Sequence, residues 1–542
     1  MRGDALRALT IAAGLVAAPA LARAGQIIIV NADGPNEGFN DPTPATPIGG
    51  NPGTTRGAQR LQVFERAAAI WADALRPTND ILVLASFDPL APNVLGSAGT
   101  TAVFADFPGA EFPDTWYPSA LADQLAGADL NPGAVDIRAR FSSNFTFYFG
   151  FDNNEGALVD LLPVVLHELG HGLGFANFVD ETTGALFLGR GDVYSQYTLD
   201  VTTDRTWTAM TDAQRQASAI NLRRVSWNGR HVNQAVPEVL LPGEPALRVA
   251  APSSLGALMV GPAAFGAPLT EAGVTGQVAL ATDGISPVGD GCSPIVSDVA
   301  GKVALLDRGT CAFTVKVKNA QLAGAIAVLV ADNAAGGPPA GLGGVDASIT
   351  IPAVRITLAD GVAVKAALAA GPITVTLGID TSILAGTDRI KHLAMLAALD
   401  PVAPGSSISH FEAIAFRNLL MEPAINPDLT SSVRPPQDLT LDLMTDIGWF
   451  SDRDGVPDGA DACLGSDPSP TVVIAGCDAG VTNTVFADGC RISDQVDACL
   501  DGAATHGAFV SCVAQLGNRL RAAGVITGAG KGALQACAAR AP

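Results

Sequence analysis

Residues 166–175 read Leu166-His167-Glu168-Leu169-Gly170-His171-Gly172-Leu173-Gly174-Phe175, and the rest of the chain is organised around this stretch. The residues just before it, 161–166, are almost all apolar, so the sequence predicts a helix that runs into a hydrophobic core. His167 and His171 are four positions apart, which places both imidazole rings on one face of that helix. Two histidines in this arrangement can bind one Zn²⁺ ion, with Glu168 beside the open coordination position.

These residue types predict a hydrolytic zinc site. Zinc lowers the pKa of a bound water to about 7, and a carboxylate such as Glu168 can accept the proton when that water attacks a carbonyl group. The alternative is a buried helix that merely contains two histidines. The chain has only six histidines in 542 residues, and burying two of them without a partner would be costly. This favours the metal site.

The composition indicates a folded and strongly acidic protein. The net charge is −21 and the isoelectric point is near 4.5, so nucleic acid and anionic membrane surfaces would repel the chain and are not expected as partners. A mean hydropathy of +0.30, with 48% hydrophobic residues, excludes a disordered chain. The length suggests about three or four domains. Nothing in the sequence specifies an oligomeric state.

The N-terminus has the features of a secretory signal peptide, which we predict over residues 1–24. Arg2 and Arg7 precede a short apolar stretch, and Ala22 and Ala24 offer small-residue cleavage sites. The apolar stretch is too short for a transmembrane helix, and the sequence has no later uninterrupted run of about 18 apolar residues. We therefore expect a secreted or extracellular protein without a transmembrane segment.

All eight cysteines lie after residue 290, two in the middle of the chain and six near its end. In an exported protein this even number predicts disulfide bonds. The pairing of the six C-terminal cysteines stays open at this stage. The absence of cysteine around His167 excludes a cysteinyl zinc ligand there.

Strand and helix patterns precede the predicted zinc helix. Residues 26–31 and 81–87 are strand-like, and residues 57–75 carry apolar side chains at helical spacing. This order, followed by His-Glu-x-x-His-x-x-Gly, resembles the metzincin metalloendopeptidases. The resemblance implies an α+β fold class, a metzincin-like zinc protease domain with its N-terminal part at residues 25–250, and hydrolysis of peptide bonds.

A metzincin site needs a third histidine, ordinarily three residues after the glycine of the motif. That position is Asn177, and a neutral amide is a poor zinc ligand. Asp180 has suitable chemistry but comes three residues too late. His231 lies in Asn-Gly-Arg-His, which predicts an exposed hairpin turn. His392 is followed too closely by Met395 to leave room for the turn that metzincins place beneath the zinc.

The stretches 406–412, 418–423 and 439–450 look like the end of a leishmanolysin-type metzincin, in which an insertion displaces the third histidine. The resemblance implies that His410 is the third zinc ligand and that Met421 is the methionine of the turn beneath the metal. The alternative for Met421 is an ordinary core methionine. The C-terminal part of the protease domain is then expected at residues 384–450.

Residues 255–383 are rich in Val, Ala and Gly in short strands. Within them, residues 301–313 read Gly-Lys-Val-Ala-Leu-Leu-Asp-Arg-Gly-Thr-Cys-Ala-Phe, which closely resembles the protease-associated (PA) domain. The resemblance implies an inserted α/β domain that shapes substrate access or binds protein, supplies no catalytic residue, and has a disulfide between Cys292 and Cys311. We expect a self-contained domain whose two ends lie close together.

Residues 451–542 are predicted to form a small disulfide-rich module with a calcium motif. Asp452, Asp454, Asp458 and Asp461 are spaced around glycines, and the stretch is similar to one thrombospondin type 3 calcium repeat. The resemblance implies a Ca²⁺ site, because several aspartate oxygens suit this hard cation. The alternative is a solvated acidic linker.

Taken together, these patterns predict a secreted zinc-dependent endopeptidase that acts on protein or peptide substrates, with Glu168 as the general base. The alternative from another class is a non-catalytic exported binding or adhesion protein on a metzincin scaffold. The presence of Glu168 favours the enzyme, because a binding protein has no need of a base beside the metal.

Overall fold

Residues on both sides of the predicted insertion share one hydrophobic core. A computed structural model describes residues 25–251, 255–426, 428–452 and 454–541, and the predicted signal peptide lies outside these ranges. One core joins buried side chains from residues 27–240 with others from residues 394–449. We call this unit the main domain (residues 25–241 and 385–450). The inserted domain (242–384) and the C-terminal domain (451–541) have cores of their own.

The main domain is built on a four-stranded sheet with the order β1-β2-β6-β3. The first three strands are parallel, and β3 runs antiparallel to β6 at one edge. The strands of this domain are β1 (Ile27–Asn31), β2 (Ile81–Asp88), β3 (Gly96–Thr100), β4 (Val103–Phe104), β5 (Thr115–Pro118), β6 (Ile137–Ser142), β7 (Phe147–Tyr148), β8 (Val159–Asp160), β9 (Gly191–Asp192), β10 (Thr198–Asp200), β11 (Arg205–Thr206) and β12 (Val225–Trp227). Its helices are α1 (Arg56–Leu75), α2 (Ser119–Ala126), α3 (Leu161–Leu173), α4 (Val193–Tyr197), α5 (Asp212–Ala219), α6 (Arg230–Val239) and, after the insertion, α9 (Thr440–Asp446).

Helix α3 is the predicted zinc helix, and its surroundings fix both of its ends. It begins after Asp160, whose side chain accepts a hydrogen bond from the Leu162 amide at 3.0 Å and so caps the helix. It ends at Gly174, whose φ of 137° suits glycine. Trp449 donates its indole N–H to the Leu173 carbonyl at 3.1 Å, which satisfies one of the carbonyls left free at the helix end.

The inserted domain forms an eight-stranded mixed sheet with the order β14-β13-β20-β16-β17-β18-β19-β15. Its strands are β13 (Pro242–Ala251), β14 (Ala257–Leu258), β15 (Gly261–Pro262), β16 (Val274–Leu280), β17 (Val303–Asp307), β18 (Ala327–Ala331), β19 (Ala353–Ile356) and β20 (Thr374–Leu384), and its helices are α7 (Phe313–Leu322) and α8 (Leu358–Ala370). The inserted domain begins with strand β13, earlier than the start predicted at residue 255. The prediction missed this strand because the composition of the sequence changes only after it. Pro242 pairs directly with Leu384, so the chain leaves the domain where it entered.

The inserted domain also contacts the main domain outside its two chain connections. Gly337 and Asp400 exchange two backbone hydrogen bonds of 2.8 and 2.9 Å. Arg223 of the main domain forms a buried ion pair with Glu244 of β13 at 3.1 Å. These contacts place the inserted domain against the segment that leads to His410.

The C-terminal domain combines a hairpin with three helices. Its elements are β21 (Thr471–Ile474), β22 (Cys477–Thr482), α10 (Ile492–Asp501), α11 (His506–Ala522) and α12 (Gly528–Ala538). The disulfides link Cys463 with Cys490, Cys477 with Cys537, and Cys499 with Cys512, while Cys292 is bonded to Cys311 in the inserted domain. None of the described helices is both long and apolar enough to cross a membrane.

Gly172 tests the packing of α3 on the sheet. A Cβ atom at this position would overlap the Ile137 side chain on β6, so we expect Gly172→Ala to destabilise the main domain by about 1–3 kcal/mol, the usual cost of overpacking. Gly99→Ala is the matched control, because a Cβ there has no heavy atom within 4 Å. Calorimetric unfolding of both variants checks this, and an unchanged transition in Gly172→Ala would contradict the described packing.

Candidate functional site

Three histidine side chains meet at the centre of the main domain. The Nε2 atoms of His167 and His171 are 3.1 Å apart, and each lies 3.2 Å from Nε2 of His410. His167 and His171 come from one face of α3, while His410 is 239 residues beyond His171 in the sequence. The fold therefore brings the distant histidine to the two histidines of the helix.

The other ring nitrogen of each histidine is held by a backbone carbonyl. Nδ1 of His167 lies 2.7 Å from the Leu420 oxygen, Nδ1 of His171 lies 2.7 Å from the Phe175 oxygen, and Nδ1 of His410 lies 2.9 Å from the Ser406 oxygen. A carbonyl oxygen can only accept, so each Nδ1 carries the hydrogen. In the neutral ring Nε2 is then an unprotonated acceptor.

Three unprotonated nitrogens that face one another repel unless a cation lies between them. Protons do not fill this role, because burial lowers the pKa of His167 to about 4, and burial together with His167 lowers the pKa of His171 to about 3. The pKa of His410 also lies well below its usual value through burial and the neighbouring histidines. Tetrahedral zinc with Zn–N bonds of about 2.0–2.1 Å needs ligand nitrogens about 3.3 Å apart. The observed spacing fits such an ion with one position left open.

The turn at Met421 contacts this cluster through the Leu420 carbonyl, which faces Nδ1 of His167. Met421 is fully buried, and a Cβ atom at Gly170 would lie only 2.8 Å from its sulfur, so the glycine between the two histidines makes room for it. The Met421 carbonyl accepts a hydrogen bond from the Phe411 amide at 2.8 Å. Leu420 bonds to His167, and Met421 bonds to Phe411, the residue after His410. One turn therefore supports two of the three histidines.

Glu168 is buried between α3 and the edge strand β3. Burial raises the pKa of this carboxyl group to about 8, and a hydrogen bond from the Ala98 amide opposes that shift. A cation beside the carboxylate would lower the pKa again. The approach of β3 requires glycine at position 96, where a Cβ atom would lie 2.7 Å from Cγ of Glu168.

A cleft of about 890 Å³ opens over the three histidines and Glu168. Its lining includes residues 93–98, which reach into the edge strand β3, and residues 404–406, 409–410 and 422–426. Among the described residues β3 pairs only with β6, so no strand covers its other edge, on which the Ala98 amide bonds to Glu168. This geometry suits an extended peptide.

The other residues considered as third ligand have different roles. Asn177 donates hydrogen bonds to Ser409, and Asp180 is exposed and caps a turn through the Thr182 amide. His392 is exposed. The hairpin turn predicted around His231 is wrong, because the residue lies in the first turn of α6. Its Nδ1 is 2.9 Å from Asp446, a buried carboxylate that accepts hydrogen bonds from the start of this helix.

The predicted calcium residues fall into two groups. Carboxylate oxygens of Asp452, Asp454 and Asp461 lie within 4.8 Å of one another. Asp454 and Asp461 each have a buried Oδ2 atom without a hydrogen-bond partner among the described residues. Asp458 lies outside this group, and burial together with the nearby Glu111 carboxylate raises the pKa of its carboxyl group to about 10.

Sequence reasoning missed the groups that hold the ligands in place. These are the carbonyls of Phe175, Ser406 and Leu420, and the contact between Asn177 and Ser409. The carbonyls left no signal, because every residue has one. The contact had a weak signal, since Asn177 stands where the motif would otherwise place a ligand.

Comparison with known proteins identifies one domain. The model of the PA domain family matches residues 267–364, which confirms the predicted PA domain, and a second family model, described as SPBPB7E8-like, matches residues 114–188. The chain is 38% identical over 139 residues to the probable lipoprotein aminopeptidase LpqL of Mycobacterium tuberculosis, covering 25% of this chain and 27% of that protein. It is also 38% identical over 89 residues to the probable leucine aminopeptidase 2 of Aspergillus fumigatus, covering 16% and 18%.

These similarities concern segments and not whole proteins. The chain spans about a quarter or less of the length of both curated relatives. A zinc aminopeptidase structure from Bacillus subtilis aligns with 27% of this chain and 35% of its own at 25% identity, with a TM-score of 0.20. What this chain shares with its named relatives is therefore a part of each protein.

The histidine cluster makes a prediction about metal binding. We expect His410→Ala to lower zinc affinity as severely as His171→Ala, because each variant removes one of three converging nitrogens. His392→Ala should bind zinc normally. His231→Ala should also bind zinc but unfold more easily, because it removes a partner of buried Asp446. Equilibrium dialysis and thermal unfolding separate these cases, and full zinc affinity in His410→Ala would refute the three-histidine site.

Proposed function

We propose that this protein is a secreted zinc-dependent endopeptidase. The observation that carries the proposal is the convergence of three unprotonated, buried Nε2 atoms next to a buried carboxylate, since neutral imidazoles arranged in this way require a cation. The named relatives include aminopeptidases, which supports hydrolysis of peptide bonds. They also make an exopeptidase the alternative to an endopeptidase.

His167, His171 and His410 would hold the zinc ion. When bound, zinc supplies a Lewis acid that polarises the scissile carbonyl and acidifies a water molecule. Glu168 accepts the proton of the attacking water and passes it to the leaving amine nitrogen. Its burial favours this role, because a carboxyl group whose pKa lies closer to neutrality can both take up and release a proton.

The open edge of β3 supports cleavage within a chain. An extended peptide can pair with that edge by backbone hydrogen bonds, which are independent of the side chains of the substrate. The cleft that contains the histidines is lined by residues of β3 and by residues 404–406 and 409–410. A site for internal cleavage needs such a cleft, because substrate residues on both sides of the scissile bond must fit.

We also propose that Asp452, Asp454 and Asp461 bind a calcium ion. Two buried carboxylate oxygens, which have no hydrogen-bond partner in the described part of the chain, support this proposal. An unpaired buried carboxylate oxygen is costly, and a hard cation would compensate it. The site would stabilise the junction between the main and C-terminal domains.

Glu168→Gln tests the proposed catalysis. The variant should retain zinc and the wild-type melting temperature while its activity falls by about 10²- to 10⁴-fold, because the amide cannot accept a proton. The substrate is a fluorogenic peptide blocked at both termini, which an aminopeptidase cannot cleave. Glu65→Gln, an exposed substitution on α1, is the matched control and should retain full activity.

Three results would contradict the proposal. Wild-type turnover in Glu168→Gln would show that Glu168 is not the general base. Cleavage of unblocked peptides only would indicate an exopeptidase. A zinc-loaded protein that cleaves neither kind of peptide would favour the non-catalytic binding protein.

Asp461→Asn tests the calcium site. We expect calorimetric titration to show calcium binding to the wild type and an affinity about tenfold or more lower in the variant, because the ligand loses its charge. Asp478→Asn removes an exposed carboxylate elsewhere in the C-terminal domain and should not change the affinity. A wild-type protein without calcium binding would identify the segment as an acidic linker.

A further inference from the structure

Asn177 occupies the sequence position at which the short motif would place a third ligand, yet its contacts lead to a different segment. Its backbone N–H donates to the Ser409 hydroxyl oxygen at 3.1 Å, and its side-chain Nδ2 donates to the same oxygen at 2.9 Å. Ser409 directly precedes His410. Two hydrogen bonds therefore connect the turn after the zinc helix to the residue next to the third histidine.

The side chain of Asn177 is itself fixed in one orientation. Nδ2 also donates to Oε1 of Glu181 at 3.0 Å, and Oδ1 accepts from the Val179 amide at 3.0 Å. The Val179 N–H can only donate, so the atom facing it must be the amide oxygen. Both hydrogens on Nδ2 are then committed to acceptors, which leaves the side chain no equivalent alternative.

The segment that carries His410 has other supports, among them the turn at Met421, whose carbonyl accepts a hydrogen bond from the Phe411 amide. The Tyr194 hydroxyl donates to the Ile408 carbonyl at 2.9 Å, and the Ile408 amide donates to the Ala397 carbonyl at 2.8 Å. The two bonds of Ile408 hold the segment in the main domain without contacting α3 or the turn that follows it. The bonds from Asn177 instead start in that turn, because Asn177 lies six positions after His171.

We propose that Asn177 is a positioning residue for His410, which it aligns with His167 and His171 through Ser409. The positions of metal ligands must be fixed to within about 0.5 Å. The helix fixes the spacing of His167 and His171, but it does not fix the position of a ligand from a distant segment. Asn177 helps to fix the position of His410, because it bonds the segment that carries His410 to the turn that follows α3. The inference rests on the proposed zinc site.

The test measures zinc affinity by competition with a chelator, together with the visible absorption spectrum of the cobalt-substituted protein. We expect Asn177→Ala and Ser409→Ala each to weaken zinc binding by about 10- to 100-fold, as is typical when a partner of a metal ligand is removed. The cobalt spectrum should change in both variants, because it reports ligand geometry. The double variant should bind no more weakly than the worse single variant, since both remove one shared interaction.

Two further variants separate positioning from general stability. Ser409→Thr keeps the hydroxyl and should retain near-wild-type zinc affinity. Asn221→Ala removes an asparagine whose Nδ2 donates to Asp200 at 2.9 Å and to Thr202 at 3.1 Å, remote from the histidines. It should lower the melting temperature without changing zinc affinity or the cobalt spectrum.

The outcomes distinguish this inference from the proposed function. Wild-type zinc affinity and an unchanged cobalt spectrum in Asn177→Ala would overturn the positioning role while the zinc site stands. If Asn177→Ala does not fold, the same results in Ser409→Ala would overturn it. A wild-type protein that does not bind zinc would overturn the proposed function, and the inference with it.

Discussion

Three imidazole acceptors converge at the centre of the main domain, and the proposed zinc ion would relieve the repulsion among them. Backbone carbonyls at Phe175, Ser406 and Leu420 hold the Nδ1 hydrogens, so the three Nε2 lone pairs converge without a proton between them. Each carbonyl belongs to a different turn, and each turn is held by contacts of its own. The cluster thus links the end of α3, the segment before His410 and the turn at Met421 into one unit, in which the position of each turn limits the others.

A long insertion is compatible with this cluster because of how the inserted domain closes. Pro242 and Leu384 are paired neighbours on β13 and β20, so the chain returns to the main domain almost where it left. The conformational cost of bringing His410 to α3 is then that of a short connection. The inserted domain is more than a tethered unit, because Gly337 pairs with Asp400 and Glu244 pairs with Arg223. Both contacts lie near the segment that leads to His410.

Sequence alone could predict the features that depend on residues close together in the chain, but not those that depend on distant partners. The spacing of His167, Glu168 and His171 is local to one helix, so a helical period is enough to place them on one face. The PA domain carried a recognisable stretch at residues 301–313. By contrast, the start of β13 and the helical setting of His231 depend on partners far away in the sequence, Leu384 and Asp446, which no local pattern indicates. The carbonyls that orient the histidines were equally hidden, because orientation arises only when distant turns pack together.

X-ray absorption at the zinc edge, on protein loaded with one equivalent of zinc, is the most direct test of the central claim. The account predicts three imidazole nitrogens and one non-protein oxygen ligand at about 2.0–2.1 Å. A first shell with only two imidazoles, or one completed by a protein carboxylate, would contradict it.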